Sequence, residues 1–305
     1  MMVSPLLYII AIAIGLYLPQ AARLAELLVL PALTVSLTVA LLRFPGGFFK
    51  NPRTLLPGAF WGNLMNYLIF GNLIILGGIF LVRNENIWIG LVMIAAVPSA
   101  LAVLPLSEKL CADQRLTLTG FAGTYLGAFL LIPLFGVAFL KFIPVHYEKL
   151  IILVVALVLL PLLLSRVAVD HNWDERIHCR EGAISDGCFF IVFYAVAAGN
   201  AHLIRQGPLD MIFILVLAFA SIVLITVALL LIGRFFKLPR STVSSLLLLG
   251  TMKNYGLAAG ISLYSFNNEA AVPALIFSVF IFVNALWLRF WFRKSISAQP
   301  PTGSR

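Results

Sequence analysis

The stretch Gly250-Thr251-Met252-Lys253-Asn254-Tyr255-Gly256 lies in the middle of a hydrophobic segment that runs from Ser241 to Ser265. A polar cluster between two glycines interrupts a helix, and lipid cannot satisfy the freed N–H and C=O groups, which must be buried in protein or face a wet cavity. A lysine in mid-membrane costs at least about 2.5–3.5 kcal/mol on insertion scales and marks a functional site by default. The stretch therefore predicts a broken transmembrane helix with Lys253 at its centre.

The composition of the whole chain supports a membrane environment. Of 305 residues, 62% are hydrophobic and only 11% are charged, and the mean hydropathy is +1.04. A soluble domain carries roughly 25% charged residues, and a disordered chain could not keep 24 Phe solvated. The net charge of +9 includes no basic run longer than a pair, so we expect no nucleic-acid partner.

The apolar stretches between charged residues predict about ten spans, because a helix needs about 20 apolar residues to cross a bilayer. The first of them lacks a preceding Lys or Arg, so we interpret it as a span and not as a signal peptide. The fold class is therefore an all-α polytopic membrane protein. The predicted spans are Val3–Leu18, Leu24–Leu42, Leu55–Val82, Ile87–Leu110, Leu116–Leu140, Leu150–Leu164, Phe189–Ile204, Met211–Phe236, Ser241–Ser265 and Ala270–Phe292.

The distribution of Lys and Arg predicts the orientation. With ten spans both termini share a side, and the connections on that side carry the basic excess, for example Arg43, Lys109 and Arg180. Both termini are therefore predicted to be cytoplasmic in a bacterial inner membrane. The tail 295–305 is predicted to be disordered.

A weak internal repeat relates the two halves of the chain. The segment 100–131 is echoed by 256–286, which pairs span four with span nine and span five with span ten. Five helices per repeat is an odd number, so residues 1–145 and 146–294 would form inverted repeats, which are typical of secondary transporters with sites on discontinuous helices. Span four carries Pro98-Ser99 and Pro105, and proline disfavours helix. Both matching spans are therefore predicted to be broken.

The candidate substrate- or ion-binding residues are polar side chains at or near these breaks. Two roles remain open for the lysine: it could neutralise the carbonyl dipoles of the broken helix ends, or it could attract an anion or exchange a proton. The two asparagines of span three are one helical turn apart and should face inward. The threonine of span five could instead bond its own helix. The candidates are Lys253, Asn254, Ser99, Thr251, Asn63, Asn66 and Thr117.

Other chemistries have little support in the sequence. In the stretch Asp170–Glu181, His171 and Glu175 have a spacing that suits a metal on a helix, but arginines crowd the stretch, so we expect an interfacial amphipathic linker and no metal site. The three cysteines lack a CxxC spacing, which argues against disulfides or zinc. No Walker, nucleophile-elbow, HExxH or Rossmann pattern is found, so we expect neither an enzyme nor a cofactor.

The chain resembles the bile acid:sodium symporter superfamily. The features that carry the resemblance are the ten spans, Pro98-Ser99 in span four and Met252-Lys253-Asn254-x-Gly256-Leu257 in span nine. The resemblance covers nearly the whole chain, including Asn51-Pro52-Arg53 before span three. It implies a panel domain of spans one, two, six and seven, and a core domain of six helices in which the two broken helices cross. Transport would proceed by alternating access of the core against the panel.

The sequence departs from this family where sodium would bind. The resemblance implies a glutamate and a glutamine as sodium ligands in span nine, and these positions hold Leu249 and Lys253. A Ser-Asn pair of span four is replaced by Val103-Leu104. We therefore expect no sodium coupling through these positions. The arsenite-exporting branch usually has cysteine where this chain has Ser99, which argues against arsenite export.

The expected function is secondary transport of a small organic anion that binds where spans four and nine cross. Coupling would be to protons through Lys253, or absent, as in a facilitator. There are two alternatives. One is a non-transporting membrane receptor or scaffold, and the other is a sodium symporter that binds the cation with other residues. The expected partners are the anion and the lipid bilayer, and a monomer is possible. The aromatic residues Tyr8, Tyr17, Phe189 and Tyr194 predict only a generic aromatic cavity.

Overall fold

The chain folds almost entirely into helices. A computed structural model describes residues 5–44, 52–141, 147–171, 173, 177, 180–206 and 208–296. Within these ranges there is no strand, and the only extended pairing is an isolated antiparallel bridge between Ser99 and Lys253. The bridge joins the two interruptions predicted from the sequence.

The α-helices of the described residues are numbered here in chain order. A π-helical segment, Leu64–Gly71, joins the third helix to the fourth without a gap. The helices are α1 (Pro5–Tyr17), α2 (Ala22–Leu41), α3 (Pro52–Asn63), α4 (Asn72–Leu81), α5 (Glu85–Ala96), α6 (Val103–Lys109), α7 (Gln114–Phe139), α8 (Tyr147–Asp170), α9 (Glu181–Gly199), α10 (Ala201–Gln206), α11 (Pro208–Phe235), α12 (Arg240–Thr251), α13 (Tyr255–Ser265) and α14 (Val272–Ile296).

Six helical segments are long and apolar enough to cross a bilayer, and shorter apolar helices accompany them. This architecture indicates a multi-pass membrane protein. The six are Pro19–Leu41, Arg53–Leu81, Gln114–Phe139, Glu148–Asp170, Glu181–Gly199 and Met211–Phe235.

Both predicted interruptions are present. Helix α5 ends at Ala96 and α6 begins at Val103, while α12 ends at Thr251 and α13 begins at Tyr255. Val97 is extended, with φ −80° and ψ 155°, because the ring of the following proline disfavours the helical conformation at the preceding residue. The breaks divide spans four and nine into half-helices.

Helix α8 is longer than the predicted sixth span. The prediction stopped at Leu164 because a charge follows, but the helix continues to Asp170. Arg166 is accommodated because its guanidinium donates hydrogen bonds to the carbonyl oxygens of Leu41 (2.6 Å) and Phe44 (3.0 Å) at the end of α2. A charge that is satisfied by protein does not end a helix.

Two predicted segments fall largely on residues that the structure leaves undescribed. The predicted linker Asp170–Glu181 is described only at its two ends and at residues 173 and 177, so its interpretation lies outside the described residues. The last helix extends to Ile296, two residues into the predicted tail 295–305, and residues 297–305 also lie outside.

Small residues allow close helix packing between α3 and α7. A Cβ atom on Gly62 would lie 2.4 Å from the carbonyl oxygen of Gly120, and one on Gly123 would lie 2.3 Å from the Cα atom of Ala59. Such packing of small residues is how helices associate where lipid provides no hydrophobic driving force between them. These helices support the interrupted ones from one side.

Candidate functional site

The two interruptions lie side by side and satisfy each other's backbone. The Ala100 N–H donates to the Met252 carbonyl, and the Asn254 N–H donates to the Pro98 carbonyl, both at 2.8 Å. These hydrogen bonds flank the bridge between Ser99 and Lys253. Because these four groups pair with each other, they need neither lipid nor water.

Lys253 is fully buried, with 0% of its surface exposed. Its Nζ donates to the carbonyl oxygens of Ala95 (2.9 Å) and Val97 (3.0 Å) and lies 4.9 Å from the centroid of the Tyr67 ring. The two carbonyls stand at the C-terminal end of α5, the negative end of its dipole. Among the described residues no carboxylate lies within ion-pair distance of this ammonium. The contacts are those expected for the dipole-neutralising role.

Ser99 makes the reciprocal contact. It is fully buried, and its hydroxyl donates to the carbonyl oxygen of Leu249 at 3.1 Å, near the C-terminal end of α12. Its N–H donates to the hydroxyl of Thr124 at 3.3 Å. The carbonyl groups near the C-terminal end of each interrupted helix therefore accept hydrogen bonds from a side chain of the other interruption.

Asn254 and Thr251 hold the helix ends on either side of Lys253. The Oδ1 atom of Asn254 accepts from the Leu257 N–H at 3.0 Å and caps α13, which is the usual use of asparagine before a helix. Its Nδ2 donates to the Tyr125 hydroxyl at 2.9 Å. The Thr251 hydroxyl accepts from Nδ2 of Asn284 at 2.7 Å. Both side chains are buried and engaged within the protein.

Asn66 belongs to the crossing, whereas Asn63 does not. Nδ2 of Asn66 donates to the Val97 carbonyl at 3.3 Å, so it shares this acceptor with the lysine. Nδ2 of Asn63 donates instead to the carbonyls of Ala59 and Gly123. The π-helix that begins at Leu64 accommodates an additional residue per turn, so the spacing of an ordinary helix did not predict where each side chain lies.

Thr117 also lies apart from the crossing. Its hydroxyl contacts the carbonyl of Asp113 (2.8 Å) and the hydroxyl of Ser245 (2.9 Å), near the start of α7 and within the first half of α12. The structure therefore brings together Lys253, Asn254, Ser99, Thr251 and Asn66.

A cavity of about 440 Å³ borders the crossing. On one side it is lined by backbone and side chains of 100–102 and 253–256. On the other side stand Tyr8, Phe189 and Phe193, whose ring centroids lie 5.2–6.1 Å apart. The carbonyls that hold the lysine ammonium are not among the lining groups. The cavity is therefore bounded by the two interruptions and by a cluster of aromatic rings, of which Tyr8 donates a hydrogen bond from its hydroxyl to Asp186.

The mouth of the cavity is charged, with both signs present. Nη2 of Arg43 lies 2.9 Å from a carboxylate oxygen of Glu181, which is buried, and Nη1 lies 3.9 Å from Glu108, which is exposed. Lys109 also lines the mouth. Arg43 thus connects α9 with the end of α6.

Helix α2 is packed against α13 near its middle and lines the cavity near its C-terminal end. A Cβ atom on Gly260 of α13 would lie 2.3 Å from Cδ1 of Leu33 and 3.5 Å from a methyl of Val29. Further along, Val39 and Ala40 face the cavity. The space between α2 and the interrupted helices therefore closes toward one end of the bundle.

Sequence reasoning missed the tyrosines that support the site. The hydroxyl of Tyr67 donates to the Thr124 carbonyl at 2.6 Å, and its ring covers the ammonium of Lys253. Tyr125 accepts from Asn254. The available signal was a tyrosine in the middle of an apolar span, because a buried hydroxyl requires a partner.

Comparison with known proteins gives no relative from which to transfer a role. No protein-family model matches the chain, and no curated protein matches it significantly. Within the described part of the chain, no three His, Cys, Asp or Glu residues are grouped so as to hold a metal ion. The function must be inferred from the crossing and its cavity.

Proposed function

We propose that this protein is a secondary transporter of a small organic anion that works by alternating access and belongs to the bile acid:sodium symporter superfamily. The observation that carries this proposal is the cavity of about 440 Å³ that ends on two interrupted, crossing helices. In this proposal α1, α2, α8, α9 and α10 form the panel, and the remaining helices form the core. Ligand sites on discontinuous helices between inverted repeats are typical of such transporters.

The packing of α2 supports alternating access. The middle of this helix is in contact with α13 at Gly260, and its C-terminal end lines an open space beside Val39 and Ala40. A transporter that exposes its site to one side at a time requires such an asymmetry. With the orientation that the basic residues predict, the cavity opens to the cytoplasm of a bacterial inner membrane.

Lys253 is proposed to replace the coupled cation. A hard cation needs several oxygen ligands, and Leu249, Val103 and Leu104 offer no side-chain oxygen. The ammonium instead supplies a fixed positive charge, held by two carbonyls and the ring of Tyr67. We propose that the lysine stays charged, because all three of its contacts are electron-rich. Facilitated transport is therefore favoured over proton coupling through this residue.

The cavity also supports an anion with an apolar body. Tyr255 and Gly256 bring the N-terminus of α13 to the cavity wall, where N–H groups and the helix dipole favour negative charge. The rings of Tyr8, Phe189 and Phe193 offer an apolar surface beside it, with Phe189 directly against Gly256. A carboxylate near the crossing and a hydrocarbon body against the rings would use both walls.

Transport by purified protein tests this proposal. Carboxylates are screened by thermal shift, with and without sodium and at two pH values, and ligands that stabilise the protein are then assayed for flux in proteoliposomes. We expect at least one ligand both to stabilise the protein and to cross the membrane. Stabilisation without flux would support a receptor instead. Uptake that requires sodium would support a sodium symporter that binds the cation with other residues.

A matched pair of variants links flux to the cavity. Ala102→Trp fills the cavity beside the crossing, whereas Leu28→Trp places the same side chain at an exposed position of α2. We expect the first variant to lose flux and the second to keep it. Equal flux in both variants would contradict the assignment of this cavity.

A further inference from the structure

At the end of the bundle away from the cavity mouth, a polar network joins α2 and α9 to the loop after α13. Nδ2 of Asn268 donates to Oε1 of Glu26 at 3.0 Å. Nδ2 of Asn200, directly after α9, donates to the carbonyl of Asn268 at 2.8 Å. The hydroxyl of Tyr264 on α13 donates to the carbonyl of Glu26 at 2.5 Å. These four residues are called the latch below.

The latch is tightly packed. A Cβ atom on Gly199 would lie 2.9 Å from both Nδ2 of Asn268 and Oε1 of Glu26. Next to it, the contact between Gly260 and Leu33 is closer still, at 2.3 Å for a Cβ atom on the glycine. This end of the space between α2 and α13 is therefore closed by polar contacts at the rim and by apolar contacts beneath them.

The loop that presents Asn268 is fixed to its own body of helices by separate contacts. Both oxygens of Glu269 accept from side-chain amides at 2.7 Å, one from Asn84 and one from Asn86. Asn267 donates to Asn86 at 2.8 Å, and its oxygen accepts from the N–H of Ala270. The loop would therefore move with α5 and α14, and the hydrogen bonds of the latch would break as this body of helices separates from α2 and α9.

We propose that the latch is the gate on the side opposite the cavity mouth, and that its hydrogen bonds must break for the cavity to open there. This inference rests on the proposed alternating access. The donors to Glu26 are neutral, and among the described residues no Lys or Arg is within ion-pair distance of it. Such contacts are individually weak in membrane proteins. Once separated, Glu26 and Asn268 are readily hydrated, so the open state exposes no new apolar rim.

Cysteine accessibility in the full-length protein tests the latch. The native cysteines are replaced by serine, and Ala102→Cys places a reporter in the cavity beside the crossing. Labelling by a membrane-impermeant maleimide is measured in right-side-out vesicles. Asn268→Ala should raise the labelling rate from outside about tenfold, which corresponds to about 1.4 kcal/mol in the equilibrium between the two states.

Two further variants keep the test specific. Asn72→Ala removes an exposed amide that bonds only the carbonyl of Leu68 in its own helical segment, and it should leave the labelling rate unchanged. Glu26→Leu removes the acceptor from the other side of the latch and should act like Asn268→Ala, so the test survives if one variant fails to fold. The latch is refuted if outside labelling stays at the parent rate in both latch variants, or if Asn72→Ala raises it equally.

The same assay separates failure of the latch from failure of the proposed function. If the parent reporter is labelled from both sides and substrate flux is present, but the latch variants change nothing, only the latch is wrong. If the parent and every variant are labelled from one side only and no flux is found, alternating access itself is wrong, and the latch is wrong with it.

Discussion

Replacing Lys253 with methionine removes the ammonium and keeps an unbranched side chain of similar length. In the native protein the ammonium satisfies the carbonyls of Ala95 and Val97. In the variant, Val97 retains the amide of Asn66, whereas Ala95 loses its donor. No backbone N–H can replace it, because residue 98 is a proline and the Ser99 N–H donates to Thr124. The variant therefore leaves one buried carbonyl without a partner.

The magnitude follows from two opposing effects. Two hydrogen bonds to a charged group contribute about 1.5–3 kcal/mol each, so about 3–6 kcal/mol is lost. Removing a lysine from mid-membrane relieves about 2.5–3.5 kcal/mol. The midpoints of the two ranges, about 4.5 and about 3 kcal/mol, differ by about 1.5 kcal/mol, so Lys253→Met is expected to lower the free energy of unfolding by about 1.5 kcal/mol. The hydrogen bonds outweigh the relief, but only narrowly.

Reversible unfolding in mixed micelles, followed by circular dichroism, measures this difference. Lys149→Met is the matched control, because Lys149 is exposed in the first turn of α8, and it should change the unfolding free energy by less than about 0.5 kcal/mol. If Lys253→Met is as stable as the native protein or more stable, the ammonium does not hold the crossing together.

Chemical rescue separates charge from packing. The atoms that Lys253→Ala removes, those of the side chain beyond Cβ, are the atoms of n-propylammonium. Residue 253 borders the cavity, so a small molecule can enter the vacated space from there. We expect n-propylammonium to raise the melting temperature of Lys253→Ala, and n-propanol of the same shape to raise it much less. Equal rescue by the alcohol would show that the site needs volume and not charge.

Other substitutions test the contacts around the crossing. Gly256→Ala places a Cβ atom 2.5 Å from the ring of Phe189; it should lower the melting temperature, and adding Phe189→Ala should restore it. Ser99→Ala removes the hydroxyl bonded to the end of α12 and should cost about 1 kcal/mol in unfolding free energy. Tyr125→Phe removes a hydrogen-bonded hydroxyl and should cost about 1 kcal/mol, whereas Tyr255→Phe removes a buried hydroxyl with no partner among the described residues and should cost nothing.

The two breaks could be predicted from the sequence because their causes are local. Pro98 removes a donor and constrains the residue before it, and polar residues between Gly250 and Gly256 interrupt an apolar run. Lys253 lies at the interruption of its apolar segment, as its distance from both ends of that segment predicted. These signals act within a few residues and need no knowledge of the packing.

The partners of the candidate residues could not be predicted, because they depend on how distant helices meet. Nothing local indicates that Lys253 would bond carbonyls at the end of α5, some 156 residues earlier in the chain. The π-helix from Leu64 separated Asn63 from Asn66, and Thr117 fell beside Ser245. Arg166 ended the predicted sixth span because its partners on α2 were not visible in the sequence.

Uptake of a transported carboxylate by the native protein in proteoliposomes tests the central claim most directly. The vesicles contain potassium, and the outside solution contains either sodium or potassium at equal concentration. A transporter in which Lys253 replaces the coupled cation predicts the same initial rate in both solutions and a final internal concentration equal to the external one. Accumulation above the external concentration with sodium alone would contradict the account.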